Sequence, residues 1–174
     1  MGRLMRENGA DLKLMTCAPE RVAALMTWFP DRRSCLIWGG PRFRFPFTAQ
    51  TFAEDTRAHS LPSYILVNAA DDLLGFGQYY LRAGRCHFAR LAIAPGQRGK
   101  GLGSLLVSKL AEIGAPDLGT SECSLFVLQD NLPAVRLYEK LGFVRSAYPE
   151  QMDSDLERVD YMIVGSRRLQ SSCH

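Results

Sequence analysis

Two kinds of hydrophobic spacing divide this chain. Between residues 63 and 94, three apolar runs rich in strand-forming residues are separated only by short polar or glycine-containing turns. Such short turns are typical of an antiparallel meander. After residue 95 the period changes, because the apolar residues at 102, 105, 106, 110 and 113 fall on one side of a helix. The pattern therefore predicts a fold that contains both strands and helices.

The same reading applied to the whole chain gives boundaries for each element. Strands are predicted at residues 11–17, 63–68, 73–82, 85–94, 121–128, 143–148 and 159–164. Helices are predicted at residues 20–29, 30–40, 48–59, 102–114 and 131–141. We expect Gly114 to end the fourth helix and Pro116 to prevent it from resuming.

The connection between residues 85 and 128 determines the kind of sheet. A strand–helix–strand crossover requires a parallel pair of strands, here inside an otherwise antiparallel sheet. We find no internal repeat and no linker composition along the chain. The prediction is therefore a single α/β (α+β) domain over residues 1–174, with a mixed, mostly antiparallel central sheet flanked by helices.

Composition and charge narrow the functional classes. The 174 residues suit one domain, and a net charge of +3 is too weak to indicate a nucleic-acid partner. No apolar run approaches the roughly 18 residues of a membrane span, and the first residues lack the apolar region of a signal peptide. The five cysteines are scattered without a CxxC pair, so we expect no metal site. We expect a soluble, cytoplasmic protein with reduced thiols.

The glycine-rich segment 94–104 carries the clearest chemical signal. It lies between a predicted strand and a predicted helix, where free backbone N–H groups and the helix dipole favour an anion. Its glycines allow the backbone to approach phosphate oxygens closely, and Arg98 and Lys100 add positive charge. We therefore expect a phosphate-binding turn.

Two common phosphate motifs do not fit this turn. A P-loop around Gly99–Lys100 requires glycine where Ala94 stands and serine or threonine where Gly101 stands. The dinucleotide fingerprint starting at Gly101 requires glycine where Leu106 stands. Both motifs are therefore excluded.

A third pattern does fit, and a second segment supports it. Residues 98–103 match [Q/R]-x-x-G-x-[G/A], which resembles the acetyl-CoA signature of the GNAT superfamily of N-acetyltransferases. Residues 131–143 resemble the superfamily's Asn-x-x-Ala-x-x-x-Tyr-x-x-x-Gly-Phe segment, at the expected place after the next strand. The resemblance is strong over residues 64–143, the expected acetyl-CoA-binding core, and weak outside them.

The resemblance implies a reaction and a cofactor site. It implies transfer of the acetyl group of acetyl-CoA to a primary amine, by direct attack of the amine through a tetrahedral intermediate. The cofactor would bind in a splayed gap between the parallel strands at residues 85–94 and 121–128. The implied cofactor-binding residues are Leu91, Ala92, Ile93, Arg98, Gly99, Lys100, Gly101, Leu102, Gly103, Ser104, Asn131 and Tyr138.

The resemblance also implies catalytic roles. Tyr138 would be the general acid that protonates the departing CoA thiolate. Many members place a glutamate on the central strand as general base, whereas this chain has His87 at about that position, and imidazole titrates near neutral pH. The base is therefore His87, an acid such as Glu54 or Asp55, or bulk water.

The acceptor amine is not selected by any motif. In this superfamily the acceptor pocket is shaped by segments that correspond to residues 28–59 and 148–158. The aromatic residues that would form an apolar wall are Trp28, Trp38, Phe43, Phe45 and Phe47. The acidic residues that would attract a cationic amine are Glu150, Asp153, Asp155 and Glu157.

Other readings stay open at this stage. The same fold serves as a non-catalytic acyl-CoA-binding or sensing module, or as a transferase for a longer acyl-CoA. The sequence is also compatible with a homodimer that forms through an exposed edge strand at residues 159–164.

Overall fold

The computed structural model describes residues 5–7, 10–152 and 158–171. The strands are β1 (Met5–Glu7), β2 (Ala10–Thr16), β3 (Ser63–Val67), β4 (Leu73–Arg82), β5 (Arg85–Ile93), β6 (Glu122–Leu128), β7 (Val144–Ser146) and β8 (Val159–Gly165). The helices are a 3-10 helix (Pro19–Trp28), α1 (Arg32–Gly39), α2 (Ala49–Thr56), α3 (Leu102–Leu118), α4 (Leu132–Leu141) and α5 (Ser166–Ser171). Within the described ranges, no helix is long and apolar enough to cross a membrane.

The strands form one sheet in the order β1-β2-β3-β4-β5-β6-β8-β7. Every neighbouring pair is antiparallel except β5 and β6, which are parallel because α3 crosses between them. The predicted mixed sheet and its parallel pair are confirmed.

The parallel pair is short. It consists of Cys86↔Cys123, His87↔Ser124 and Phe88↔Leu125, and beyond these residues β5 and β6 part. The register between β4 and β5 shifts between Phe76 and Gln78, and Arg90 on the facing stretch of β5 has a positive φ of 50°. This β-bulge lies just past the last β5–β6 pair, where the strands diverge. We call the space between β5 and β6 beyond these pairs the splayed gap.

The helices pack on both faces of the sheet. In β3, Ile65 contacts the cluster formed with the 3-10 helix, α1 and α2, whereas its neighbour Leu66 contacts the first turn of α3. The first cluster is aromatic: Trp38 stacks on Phe29 at a centroid distance of 4.1 Å and on Phe52 at 5.5 Å. Consequently, α1 and α2 are held against one face and α3 against the other.

The expectation that Gly114 ends α3 is wrong. The helix continues to Leu118 and ends before Gly119, whose φ is 65°. A Cβ on Gly114 would lie 2.8 Å from Sγ of Cys86, so this glycine lets α3 approach the sheet closely. Pro116 lies in the last turn on an exposed face, where the carbonyl that loses its intrahelical donor can bind water.

The expectation of an exposed edge at residues 159–164 is also wrong. β8 pairs with β6 on one side and with β7 on the other, so it is internal. β7 occupies this end of the sheet because the chain leaves α4 through Gly142 and places residues 144–146 outside β8. The pattern also missed β1 and α5, which are only three and six residues long.

Candidate functional site

A cavity of about 840 Å³ occupies the splayed gap. Its walls come from β5 and β6, the first turn of α3, one side of α4 and the C-terminal part of α1. All the predicted site residues except Lys100 line it, namely His87, Leu91, Ala92, Ile93, Arg98, Gly99, Gly101, Leu102, Gly103, Ser104, Asn131 and Tyr138. The fold therefore brings together residues that lie up to 51 positions apart in the sequence (Tyr138 minus His87).

The glycine-rich turn presents backbone donors to this cavity. Gly99 and Gly101 have φ values of 75° and 81°, which favour glycine over other residues. No side chain of the described residues caps α3, so the N–H groups of its first turn are free to bind an anion. Arg98 donates through Nε to the carbonyl of Ile93 at 3.2 Å. Lys100 does not line the cavity, and its Nζ donates to Oε1 of the lining residue Gln97 at 3.0 Å.

Gly103 sets the spacing between two walls of the cavity. A Cβ at this position would lie 2.9 Å from Cδ2 of Leu137 on α4. The glycine therefore allows α3 and α4 to approach each other at the end of the cavity that the glycine-rich turn forms.

Tyr138 is held on α4 with its hydroxyl unengaged. Its side chain is 9% exposed, and its ring meets Phe143 at a centroid distance of 5.7 Å. The hydroxyl has no hydrogen-bond partner among residues 10–152 and 158–171. Burial raises the pKa of Tyr138 to about 12, so the phenol is protonated at neutral pH.

His87 lies on β5 at the last part of the parallel pair. It is 2% exposed, its Nδ1 is 2.9 Å from Oγ of Ser124, and the rings of Tyr80, Phe126 and Tyr161 surround it. Burial, with a smaller effect from the charge of Arg82, lowers the pKa of His87 to about 3. The imidazole is therefore neutral at pH 7, and Nε2 has no partner in the part of the chain that the structure describes.

The alternative bases Glu54 and Asp55 lie on α2 and do not line the cavity. Arg44 binds both carboxylates, each at 2.7 Å. Hydrogen bonds from Arg44 hold the pKa of each carboxyl below its ordinary value. These groups are thus engaged outside the site.

Most of the predicted aromatic wall belongs to the core. Trp38 lines the cavity, whereas Trp28 and Phe43 are buried in the aromatic cluster and Phe45 and Phe47 pack against it. The sequence of a hydrophobic stretch does not show which of its aromatic rings face a cavity and which face the core, because the core and the cavity wall are both apolar.

The predicted acidic group is only partly described. Glu150 accepts a hydrogen bond from the hydroxyl of Tyr148 at 2.8 Å and does not line the cavity. The other three acids, Asp153, Asp155 and Glu157, lie outside the described residues.

The sequence reading missed Arg90. Its carbonyl accepts a hydrogen bond from Nε1 of Trp38 at 2.8 Å, and its Nη1 donates to Oε1 of Gln78 at 3.0 Å. Its Nε is buried without a partner among the described residues, and burial lowers its pKa. The available signal was an arginine within an otherwise apolar strand, at residues 88–93.

Comparison with known proteins identifies the family. The model of the acetyltransferase (GNAT) family matches residues 24–143, more than half of the chain. The chain belongs to this family, and the resemblance noted from its two motifs is confirmed.

Curated relatives match over part of their length. The chain is 35% identical over 103 residues to the thialysine N-epsilon-acetyltransferase of Sus scrofa, covering 54% of this chain and 60% of that protein. It is 34% identical over 83 residues to the streptothricin acetyltransferase of Streptomyces lavendulae, covering 47% of this chain and 43% of that one. The chain thus spans about half the length of these relatives.

Solved structures share the fold over nearly the whole chain. The spermidine N-acetyltransferase from Vibrio cholerae, solved in complex with CoA and spermine, has a TM-score of 0.69. The alignment covers 91% of this chain and 97% of that one, at 19% identity. At this identity the likeness shows the fold alone.

Proposed function

We propose that this protein is an acetyl-CoA-dependent N-acetyltransferase that acetylates a primary amine by direct attack on the thioester. One observation carries the proposal: a single cavity joins the uncapped N-terminus of α3, the free edges of β5 and β6, and the unengaged hydroxyl of Tyr138. When bound, acetyl-CoA supplies the activated acetyl group. These residues fit it, because the turn at residues 98–104 offers donors for a pyrophosphate and the splayed gap offers backbone groups for an extended arm.

Tyr138 is proposed as the general acid. Its raised pKa keeps the phenol protonated, so it can donate to the thiolate that leaves. An unperturbed thiol has a pKa of about 8.5, so the thiolate is a modest base and protonation helps modestly. Asn131 precedes α4 and lines the same cavity, and we propose that it contacts the cofactor.

His87 is proposed as the group that takes the amine proton. It is neutral at pH 7, and in the tautomer whose Nδ1–H donates to Oγ of Ser124, Nε2 is the nitrogen left to accept a proton. Its low pKa makes it a weak base, which predicts a modest catalytic contribution. Bulk water is the alternative, and the His87→Gln variant below separates the two.

The first experiment measures CoA release from acetyl-CoA with an amine panel, using a thiol reagent and blanks that lack acetyl-CoA or amine. The panel includes thialysine, streptothricin and spermine, which the relatives' names mention. We expect Tyr138→Phe to lower kcat about tenfold. Tyr64→Phe is the matched control, because Tyr64 stacks on Tyr79 and does not line the cavity.

The outcomes separate the candidate functions. Tight acetyl-CoA binding without amine-dependent CoA release would favour the non-catalytic sensing module. Faster turnover with a bulkier thioester would favour the longer-acyl transferase. Equal activity of Tyr138→Phe and wild type would remove Tyr138 from the mechanism.

We further propose a cytoplasmic location and a homodimer, each with its own test. The cysteines at 17, 35, 86 and 123 are free thiols, which suits a reducing compartment. β7 is the edge strand next to β8. A dimer formed by adding a strand at that edge of the sheet would therefore use β7 instead of β8. Light scattering distinguishes a 19.4 kDa monomer from a dimer.

A further inference from the structure

The cavity carries charge of one sign only. Among the described residues that line it, the charged side chains are Arg90 and Arg98, and none is Asp or Glu. Arg98 lies at the N-terminal end of α3, where the proposed cofactor phosphates bind. Arg90 lies beside α1, because its carbonyl accepts the indole N–H of Trp38. The end of the cavity left for the acceptor therefore has a guanidinium and no described carboxylate.

The surroundings hold Arg90 in place without neutralising it. Arg90 donates to the neutral amide of Gln78, which is fully buried and itself donates to the carbonyl of Thr56 at 2.9 Å and to Oγ of Ser63 at 2.8 Å. No described carboxylate forms an ion pair with Arg90. The groups that act on Arg90 electrostatically are Tyr80, Arg57 and Asp55. Asp55, the carboxylate among them, is already bound by Arg44.

This arrangement is costly unless a ligand completes it. A buried charge normally has a paired counter-charge, and a buried N–H donor normally has an acceptor. Arg90 is half-buried and has no counter-charge in the described part of the chain, and its buried Nε has no acceptor there. A guanidinium matches an oxyanion, because its parallel N–H groups bind two oxygens at once.

We propose that Arg90 binds an oxyanion group of the acceptor, so that the acceptor is a small amine carrying a carboxylate or a phosphorus oxyanion, as an amino acid does. The inference rests on the proposed function and names its substrate class. A polyamine fits poorly, since it would place ammonium groups beside Arg90 with no described carboxylate to bind them.

The test uses pairs of acceptors that differ only in the anionic group. Lysine is compared with cadaverine, and phenylalanine with phenethylamine and with its aminophosphonate analogue. Spermidine is the polyamine arm. For wild type we expect kcat/KM to be at least about tenfold higher for the anionic member, and the phosphonate arm tells carboxylate from phosphorus oxyanion.

The variants locate the effect at Arg90. We expect Arg90→Met to raise KM for the anionic acceptor about tenfold to one hundredfold and to abolish the preference. Arg90→Lys should retain part of the preference for the anionic acceptor. The KM for acetyl-CoA reports an intact fold and should change less than about twofold. Arg21→Met is the matched control, since Arg21 pairs with Asp71 at 3.1 Å and does not line the cavity.

The outcomes for the inference and for the proposed function differ. A wild-type preference for spermidine or for the decarboxylated amines overturns the inference and leaves the acetyltransferase standing. If Arg90→Met folds and keeps the preference for the anionic member, the inference is likewise overturned and the acetyltransferase stands. If no amine in the panel stimulates CoA release, the proposed function fails and the inference fails with it. Should Arg90→Met not fold, Arg90→Lys and the wild-type pairs decide.

Discussion

Replacing Gly114 with alanine would place a methyl group between α3 and the sheet. The new Cβ would lie 2.8 Å from Sγ of Cys86 and 2.9 Å from Cγ of Tyr79. Both side chains are buried, with exposures of 0% and 2%, so neither can move into solvent. The perturbation is therefore an overpacked core contact.

Two effects of opposite sign compete in this variant. Alanine is favoured over glycine within a helix by about 1 kcal/mol. Overpacking a well-filled core costs about 1–3 kcal/mol, and here two buried atoms must give way. We expect the packing cost to exceed the helix gain, for a net loss of up to about 2 kcal/mol in the free energy of unfolding. A domain of this size then melts up to about 8 °C lower.

Urea unfolding and thermal melting measure this change directly. The control is the same substitution in a Cys86→Ala background, which removes the nearest atom and should recover part of the loss. A single variant that is more stable than wild type by about 1 kcal/mol would refute the reasoning. It would mean that α3 can shift away from the sheet at little cost.

Three further predictions concern the site. Gly101→Ala should weaken acetyl-CoA binding about tenfold in calorimetry, because the φ of Gly101 is 81° and alanine is strained there even though the space around it is open. Gly96→Ala is the control in the same turn and should not weaken binding, because Gly96 has no positive φ. The pKa of His87 is about 3 in the fold and about 6.5 unfolded, so the unfolded state binds the extra proton and stability is lost as pH falls below about 6.5. Between pH 7 and pH 5, urea unfolding should show the free energy of unfolding of wild type falling by about 2 kcal/mol through His87. In His87→Gln the decrease over the same pH range should be smaller by about 2 kcal/mol. Finally, Glu54→Gln and Asp55→Asn should keep kcat within about twofold, whereas His87→Gln should lower it several-fold; the reverse order would place the base on α2.

Local chemistry explains which parts of the fold were predictable. The strand at residues 73–82 was predicted with the bounds it has, because a polar turn at residues 69–72 and a tight turn at residues 83–84 delimit it. The glycine-rich turn was predictable as a local structure, because glycines between a strand and a helix favour positive φ, and Gly99 and Gly101 adopt it. These signals are short-range, so a single sequence contains them.

The features that the sequence did not predict depend on contacts between residues that are distant in sequence. Gly114 resembles a helix stop until the helix is placed against Cys86, some 28 positions away (114 minus 86). The bulge at Arg90 depends on pairing with β4, and the burial of β8 depends on where β7 returns. Arg90 therefore looked like an ordinary strand arginine, although its position in the bulge places it in the cavity wall.

The parting of β5 and β6 gives this protein a sheet edge on the inside. Beyond Phe88 and Leu125, neither strand has a strand partner on the side facing the other, as far as the described chain extends. An edge of this kind on a surface invites pairing with other chains, whereas here it lines a cavity. A linear molecule with amide groups would be bound as an additional strand, through main-chain hydrogen bonds that are indifferent to side-chain substitution. Under the proposed function, substitutions of the lining side chains could therefore change the acceptor without removing the main-chain hydrogen bonds to the donor.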